Sequence, residues 1–473
     1  MTIPDWIYDA VFYQIFPDRF ANGDPGNDPV NAQAWGAPPT IKGFQGGDLA
    51  GIRQRLDYLL DLGINAIYLN PIFLSPSNHR YDTVDYYRID PKLGSLEDFR
   101  QLMDACHRQG VRVILDGVFN HTSRGFFAFN DLLENGPDSP YQQWYHVRRF
   151  PLRAYEPGKA QNYAAWWGFK SLPKLNTGSP AVRRYLLDAA RYWIEQGADG
   201  WRLDVPNEID DDDFWAEFRQ VVHAANPQAY LLGEIWEIWP RWVNDTHFDG
   251  LMNYPLRKAL LALLSGQANT TEFAGQVENL LSVYPAENTA AMYNLLGSHD
   301  IERILTVFGG DSRKVTLAYL FLFAFPGVPA VYYGDEVGIE GGRDPDCRRA
   351  FPWSEAHWNT SLRGTIKTLI GARKASLALR HGSFQRLLAS EQQSVYAFAR
   401  SHGEEQVVIA INSSEKPAAV EIPTAGLDLQ DGQVLRSLLD SREAVVQAGR
   451  LTLRLDPFSG VYLSTSSAAR TAS

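Results

Sequence analysis

Four short stretches of the 473-residue chain carry side chains able to do chemistry together. "DGVFNH" supplies Asp116, Asn120 and His121, "GWRLDV" Arg202 and Asp204, "GEIW" Glu234, and "GSHD" His299 and Asp300. Arg202 and Asp204 stand two apart, and in a strand that spacing turns both to one side while Trp201 and Leu203 take the other. Such a pair is either a buried structural ion pair or part of a site. The sequence contains no HExxH metal spacing, no GxSxG nucleophile elbow and no GxxxxGK phosphate cradle. Carboxylates without those devices point to glycoside chemistry, in which one carboxylate attacks and a second carboxylic acid gives up a proton. Any one of these residues could equally cap a helix or hold backbone amides. Four successive polar strand ends are much harder to read that way.

The elements that must hold these residues repeat. Three times a helical pattern stops at Gly and runs straight into a short apolar strand. The first is "AGIRQRLDYLLDLG", with Ile52, Leu56, Leu59 and Leu60 on one face, before "INAIYLNP". The second is capped by Ser95 with Asp98 in capping-box position and stops at Gly110 before "VRVILDGVFNH". The third, "AVRRYLLDAARYWIEQG", keeps Val182, Leu186, Ala189 and Trp193 in register and leads into "ADGWRLDV". Five further strands, in "AVFYQIFPDRF", "AYLLGEIW", "GLMNYP", "AMYNLLGSHD" and "PAVYYGDE", bring the total to eight. Near-continuously apolar strands alternating with helices mean a parallel sheet covered on both faces, and eight units favour a closed (β/α)8 TIM barrel over an open doubly wound sheet. The loops at the C-terminal strand ends of such a barrel are where functional groups collect, and the polar residues above fall there. The predicted organisation is a catalytic barrel over residues 1–382, with a small aromatic excursion at 121–178 after the third strand. Alternating strands in "SVYAFARS", "QVVIAINSS", "AAVEIP", "RLTLRL" and "GVYLST" predict a separate antiparallel β-sandwich at 383–466. The small polar tail, 467–473, reads as disordered.

Composition narrows the function classes. A net charge of -11 disfavours nucleic acid, since nothing would drive counterion release, whereas 13 Trp, 22 Tyr and 24 Phe suit both a large core and sugar stacking. The most apolar stretch, from Leu317, is cut by Pro326, Gly327 and Pro329 and falls short of a membrane span. Cys106 and Cys347 show no CxxC pattern, so no disulfide framework or thiolate metal site is indicated, and the beginning of the chain has no basic segment followed by an apolar run. The expected location is the cytoplasm.

In their order, the four stretches resemble the signature regions of the α-amylase family, glycoside hydrolase family 13. "LPKLN" from Leu172 and the "NE" after "DVP" resemble the neopullulanase and cyclomaltodextrinase branch. The resemblance implies a retaining α-glucan hydrolase cutting α-1,4 bonds of maltooligosaccharides, cyclodextrins or pullulan, with α-1,6 activity left open and no organic cofactor. It makes Asp204 the nucleophile, Glu234 the acid/base and Asp300 the carboxylate that stabilises the transition state. His121 and His299 match residues that bind sugar hydroxyls, and Tyr81 with nearby His79 matches an aromatic platform. Trp236 matches a residue on the leaving-group side, while Asp344 and Arg348 in "GGRDPDCRR" match residues closing the donor side. Arg202, sharing a face with Asp204, is expected to keep the nucleophile charged, so that its loss costs turnover more than fold.

Asn22, Asp24, Asn27 and Asp28 in "NGDPGND", with Gly46 and Asp48 in "GGD", are hard oxygen donors. Several members of the branch bind Ca²⁺ through a similar motif, so a structural Ca²⁺ is expected there; the alternative is an ordinary Asx-rich turn. Relatives in the branch usually carry an extra N-terminal β domain that supports dimerisation and narrows the site. Here the first barrel strand begins close to residue 6, so that dimer and the preference for small cyclic substrates are not carried over, and the oligomeric state is left open. Pro206, where relatives often have a small residue, is expected to reshape the acceptor side. Two rival readings stand beside hydrolysis: a glucanotransferase on the same scaffold, and a catalytically silent sugar-binding barrel, which the presence of all three carboxylates disfavours.

Overall fold

Eight short parallel strands define the centre of the computed structural model, which describes residues 3–466; the tail read as disordered lies outside the described residues. They are β1 (Phe12–Ile15), β2 (Ala66–Leu69), β3 (Arg112–Gly117), β4 (Gly200–Leu203), β5 (Tyr230–Gly233), β6 (Gly250–Leu251), β7 (Tyr293–Asn294) and β8 (Val328–Tyr332). The sheet runs β6-β5-β4-β3-β2-β1-β8-β7, and a parallel bridge between Met252 and Tyr293 joins its two ends. The result is the (β/α)8 barrel read from the sequence.

Alternation along each strand decides what enters the lumen. Phe12, Tyr68, Ile114, Leu232, Tyr293 and Ala330 form the inner cluster, whereas Tyr13, Ile67, Val113, Trp201 and Val331 join the core shared with the helices. The same rule sends Asp116, Arg202, Asp204 and Glu234 inward at the top of β3, β4 and β5. Register places Asp116 directly beside Arg202. Gly200 lets β4 close on β5: at its φ of +154° an added Cβ would lie 2.2 Å from the Tyr230 carbonyl oxygen. At the opposite end Ile3 and Ile7 stop the lumen, with Trp6 tilted against Phe12.

The helical layer follows the sequence with one change. Ser95 and Asp98 form the expected capping box on the helix Leu96–Arg108, and Gly110 beyond it is left-handed. The pattern read as one helix before β2 is two, Leu49–Gln54 and Leu56–Leu62, because Arg55 (φ -102°, ψ 13°) turns out of helical geometry. The turn rotates the second segment so that Leu56, Leu59 and Leu62 are buried and Leu60 is left half-buried. Among the described residues no helix is long and apolar enough to cross a membrane.

After β3 the chain leaves the barrel for the excursion, which holds a helix, Phe127–Asn135, and a set of isolated bridges. One of these pairs His121 with Lys174 and ties the excursion to the barrel mouth. Past the helix Leu377–His381, eight antiparallel strands form the C-terminal domain; Ser383–Ser390, Val434–Ser437 and Glu443–Gln447 join the five read from the sequence. One face buries Val395, Val408, Val420, Ile422 and Leu451 against each other. The other meets the barrel helix Ser312–Ala324, where Arg400 donates to the Ala324 carbonyl (2.6 Å) and Phe398 meets Phe321 edge-on.

Candidate active site

Three carboxylates from three adjacent strands meet on one guanidinium. Arg202, wholly buried, donates from Nη1 to Asp116 Oδ1 (2.8 Å) and Asp204 Oδ1 (3.1 Å), and its Nη2 lies 2.8 Å from Glu234 Oε1. Asp116 is braced further, because its Oδ2 accepts from the hydroxyls of Tyr68 (2.5 Å) and Tyr81 (2.7 Å). Its lone pairs are therefore committed. Among the described residues the Asp204 side chain accepts only the Arg202 hydrogen bond, and it keeps 9% of its surface open to the mouth. Glu234 accepts from the Val205 N–H at Oε2 (3.1 Å) and from Trp236 Nε1 at Oε1 (3.3 Å).

Burial raises the Asp204 carboxyl well above the ordinary carboxylate range, the charge of Glu234 adds to this, and Arg202 opposes both. Burial likewise pushes Glu234 up to about 7, again against Arg202. Arg202 favours the ionised Asp204, the direction expected from the sequence, but its one positive charge is divided among three carboxylates and is opposed by burial. The two carboxyls repel each other, so a proton on one favours the ionised form of the other.

A second layer is aromatic. Gln14 Nε2 (3.0 Å) and Asn70 Nδ2 (3.1 Å) both donate to His299 Nδ1, so the ring hydrogen sits on Nε2, which faces the Tyr81 hydroxyl and lies 3.1 Å from Asp300 Oδ2. Burial keeps His299 neutral by pulling it well below the usual histidine value. The His299 and Tyr81 rings lie parallel at 5.2 Å, and His79 follows Tyr81 at 6.0 Å. His79 Nδ1 accepts the Tyr81 N–H (3.1 Å). His121 is held from both sides, accepting from Asn120 Nδ2 at Nδ1 (3.2 Å) and donating from Nε2 to the Tyr81 carbonyl (3.1 Å). Burial lowers it to about 3, and with both nitrogens engaged it supports the Tyr81 backbone.

Asp300 stands at the rim with a third of its side chain accessible, 3.4 Å from Arg348 Nη2. Arg348 also donates from Nε to the His299 carbonyl (2.8 Å) and pairs with half-exposed Asp344 through Nη1 (3.1 Å). Trp236 lies parallel to Tyr254 at 3.9 Å with 43% of its surface exposed. All eleven catalytic and sugar-binding candidates therefore belong to one connected network. Sequence reading overlooked Gln14, Tyr68, Asn70 and Tyr254. Asn70 ends the stretch "INAIYLNP", so the strand-end rule covers it. It also overlooked a ring column leading outward: His121 stacks on Trp166 (5.5 Å) and Trp166 on Trp167 (4.7 Å), which is 69% exposed with a left-handed φ of +48°. These two sit in irregular backbone, where no periodicity marks them.

The Asx-rich motif folds on itself. Asp48 Oδ1 accepts from the N–H groups of Gly23 (3.0 Å) and Gly51 (2.6 Å), and Oδ2 from the Asp24 N–H (2.9 Å) and Asn27 Nδ2 (3.0 Å), so Asp48 organises the loop and caps the helix Leu49–Gln54. Asn22 Nδ2 donates to both oxygens of Asp28. Gly46, at φ +83°, packs so closely that a Cβ would lie 2.2 Å from Asp28 Oδ1. Among the described residues no three acidic, His or Cys side chains converge as a metal cluster. The Oδ1 atoms of Asn22 and Asn27, however, are buried without a hydrogen-bond partner. Unsatisfied buried amide oxygens beside carboxylates are the donor chemistry a hard cation takes.

Residues 14–370 match the family model of the α-amylase catalytic domain, and residues 384–462 that of the neopullulanase-like C-terminal domain. A cyclomaltodextrinase of Geobacillus thermopakistaniensis is 46% identical over 467 residues, covering 98% of this chain and 78% of that protein. An intracellular maltogenic amylase of Bacillus subtilis is 39% identical over 429 residues, covering 90% of this chain and 72% of that protein. Among solved structures, the cyclic α-maltosyl-(1→6)-maltose hydrolase of Arthrobacter globiformis in complex with its named sugar superposes with a TM-score of 0.89 at 42% identity, covering 98% of this chain and 100% of that one.

Proposed function

Because the chain belongs to the α-amylase family, with a neopullulanase-like C-terminal domain, we propose that it is a retaining α-glucan hydrolase acting on maltooligosaccharides, cyclodextrins or related cyclic glucans. The observation that carries the reading is the meeting of Asp204 and Glu234 on Arg202 at the mouth of the barrel, with Asp300 at the rim. Asp204 attacks the anomeric carbon as Glu234 protonates the departing glycosidic oxygen, which leaves a β-glycosyl ester on Asp204. Glu234, now ionised, takes a proton from water, whose oxygen attacks the same carbon, breaks the ester bond to release the Asp204 carboxylate and returns the α configuration. Tyr81 offers its ring to the sugar's apolar face, and Asp300, beside the His299 Nε2–H that also faces Tyr81, holds hydroxyls of the sugar under attack. Trp236, touching Glu234 and open to solvent, lines the leaving-group side and favours transfer to a second sugar as the alternative outcome. Chromatography of products from maltooligosaccharides, β-cyclodextrin, pullulan and starch tests the assignment. New reducing ends from any of them support hydrolysis, longer products at high acceptor concentration without a matching rise in reducing ends support transfer, and an unchanged product pattern from all of them would defeat both.

The pH profile has a definite sign. Glu234 must carry its proton when the bond breaks, and burial holds that proton to about pH 7. Log kcat/KM is therefore expected to fall with a slope approaching -1 as pH rises through about 7. A profile flat to pH 9 would remove Glu234 as the donor.

For the Asx-rich loop we assign a structural Ca²⁺, held by the Asn22 and Asn27 amide oxygens and the Asp28 carboxylate, with Asp24, Gly46 and Asp48 shaping the loop. When bound, the ion neutralises the carboxylates and satisfies the buried amide oxygens. A chelator is expected to lower the melting temperature while leaving kcat at lower temperature unchanged, and Asn27→Ala should abolish that shift. An identical melting curve with and without chelator removes the site. A cytoplasmic location is supported by two free buried cysteines and by the name of the Bacillus subtilis relative.

A further inference from the structure

Directly after Asp204 the backbone does something its sequence opposes. Val205 sits at φ +36°, ψ +51°, in the left-handed region, and the next residue is proline. A β-branched side chain rarely adopts that conformation, and a following proline pushes a residue toward extended geometry. Strain of this kind persists only where its surroundings over-determine it, and it gathers at functional sites. Here the left-handed turn doubles the chain back immediately after the strand, and the Glu208 N–H closes the turn on the Val205 carbonyl (3.0 Å). The peptide joining Asp204 to Val205 is left at the rim with its N–H on Glu234 Oε2 (3.1 Å). Glu234 Oε1 is meanwhile held by Trp236 Nε1 and approached by Arg202. Holding both oxygens fixes the plane of the carboxyl group and leaves one direction for its proton.

We propose that Val205 is a positioning residue: its strained turn locks the N–H that orients Glu234, so the peptide following the nucleophile also aims the proton donor. Every turnover then uses a carboxyl already aligned with the glycosidic oxygen. The same N–H favours the ionised form of Glu234, and loosening it moves the proton's release to higher pH.

The inference rests on Glu234 being the proton donor, and the test keeps the two apart. In the full chain, Val205→Gly retains the N–H and can adopt the same turn without penalty, but no longer holds it. The melting temperature should be unchanged or higher. On maltotriose, kcat/KM should fall by about tenfold and its basic limb should move to higher pH, whereas on α-maltosyl fluoride, whose leaving group departs without a proton, it should stay within roughly twofold. Equal losses on both substrates, full activity on maltotriose, or a lower melting temperature would each overturn the proposal. Glu234→Gln with unimpaired maltotriose cleavage would instead overturn the proton-donor reading beneath it.

Discussion

Replacing Asp204 with Asn is expected to lower kcat/KM on maltotriose by roughly 10⁴-fold or more, because no neighbouring group can take over as nucleophile. Asp116 is the nearest rival by charge, but both its oxygens are committed, to Arg202 on one side and to Tyr68 and Tyr81 on the other. Asp300 stands at the rim, paired with Arg348. The fold should not suffer. The amide oxygen of an asparagine in place of Asp204 could still accept from Arg202 Nη1, and the substitution removes one negative charge from a buried group in which three carboxylates share one guanidinium. The variant's melting temperature at neutral pH should therefore equal or exceed that of the unmodified chain, a stability gain coupled to a catalytic loss. Kinetics and calorimetry on the same preparation check both halves. Activity within about tenfold of normal would sink the nucleophile assignment.

The barrel was legible because two periodicities coincide in the sequence: 3.6-residue patterns ending in Gly, then strands that finish in polar residues. Since strand direction, alternation and strand-end position are all local, Asp116, Arg202, Asp204, Glu234, His299 and Asp300 could be found before any contact was known. Asn70 was equally available to that rule. What alternation could not supply is how charge is shared among residues on different strands. Read alone, "GWRLDV" gives Arg202 one partner; the register of β3 against β4 and β4 against β5 gives it three. The Trp166–Trp167 column was hidden for another reason, since the excursion has no repeating pattern and its rings meet through isolated bridges. Of the three strands missed in the C-terminal domain, Ser383–Ser390 has no fully buried position and Val434–Ser437 is only four residues long, whereas Glu443–Gln447 alternates cleanly and was open to the same rule.

Arg202→Leu is expected to cost both turnover and fold, a stronger outcome than "GWRLDV" alone suggests. Arg202 is charged throughout the working range, since Asp116 and Glu234 hold its proton against the cost of burial. Leucine would leave Asp116, Asp204 and Glu234 buried with no cation among them, and stranding a buried charge in this way costs about 3–5 kcal/mol. The carboxyls escape part of that penalty by binding protons, which is fatal to catalysis because a protonated Asp204 cannot attack. A loss of about 10³-fold or more in kcat/KM follows. The stability deficit has a sign in pH. Without the guanidinium, the Asp204 and Glu234 carboxyls, already raised by burial, rise further above their values in the unfolded chain, so the folded form is least penalised at acid pH and loses stability as pH rises through the raised values. The gap in melting temperature between the variant and the unmodified chain should thus be wider at pH 8 than at pH 5. Arg202→Lys separates the contributions: it restores a charge, and with it much of the melting temperature at pH 8, but a single ammonium cannot span Asp116, Asp204 and Glu234, so turnover stays low. A deficit equal at both pH values, or normal turnover in the leucine variant, would show that Arg202 only fills space between the strands.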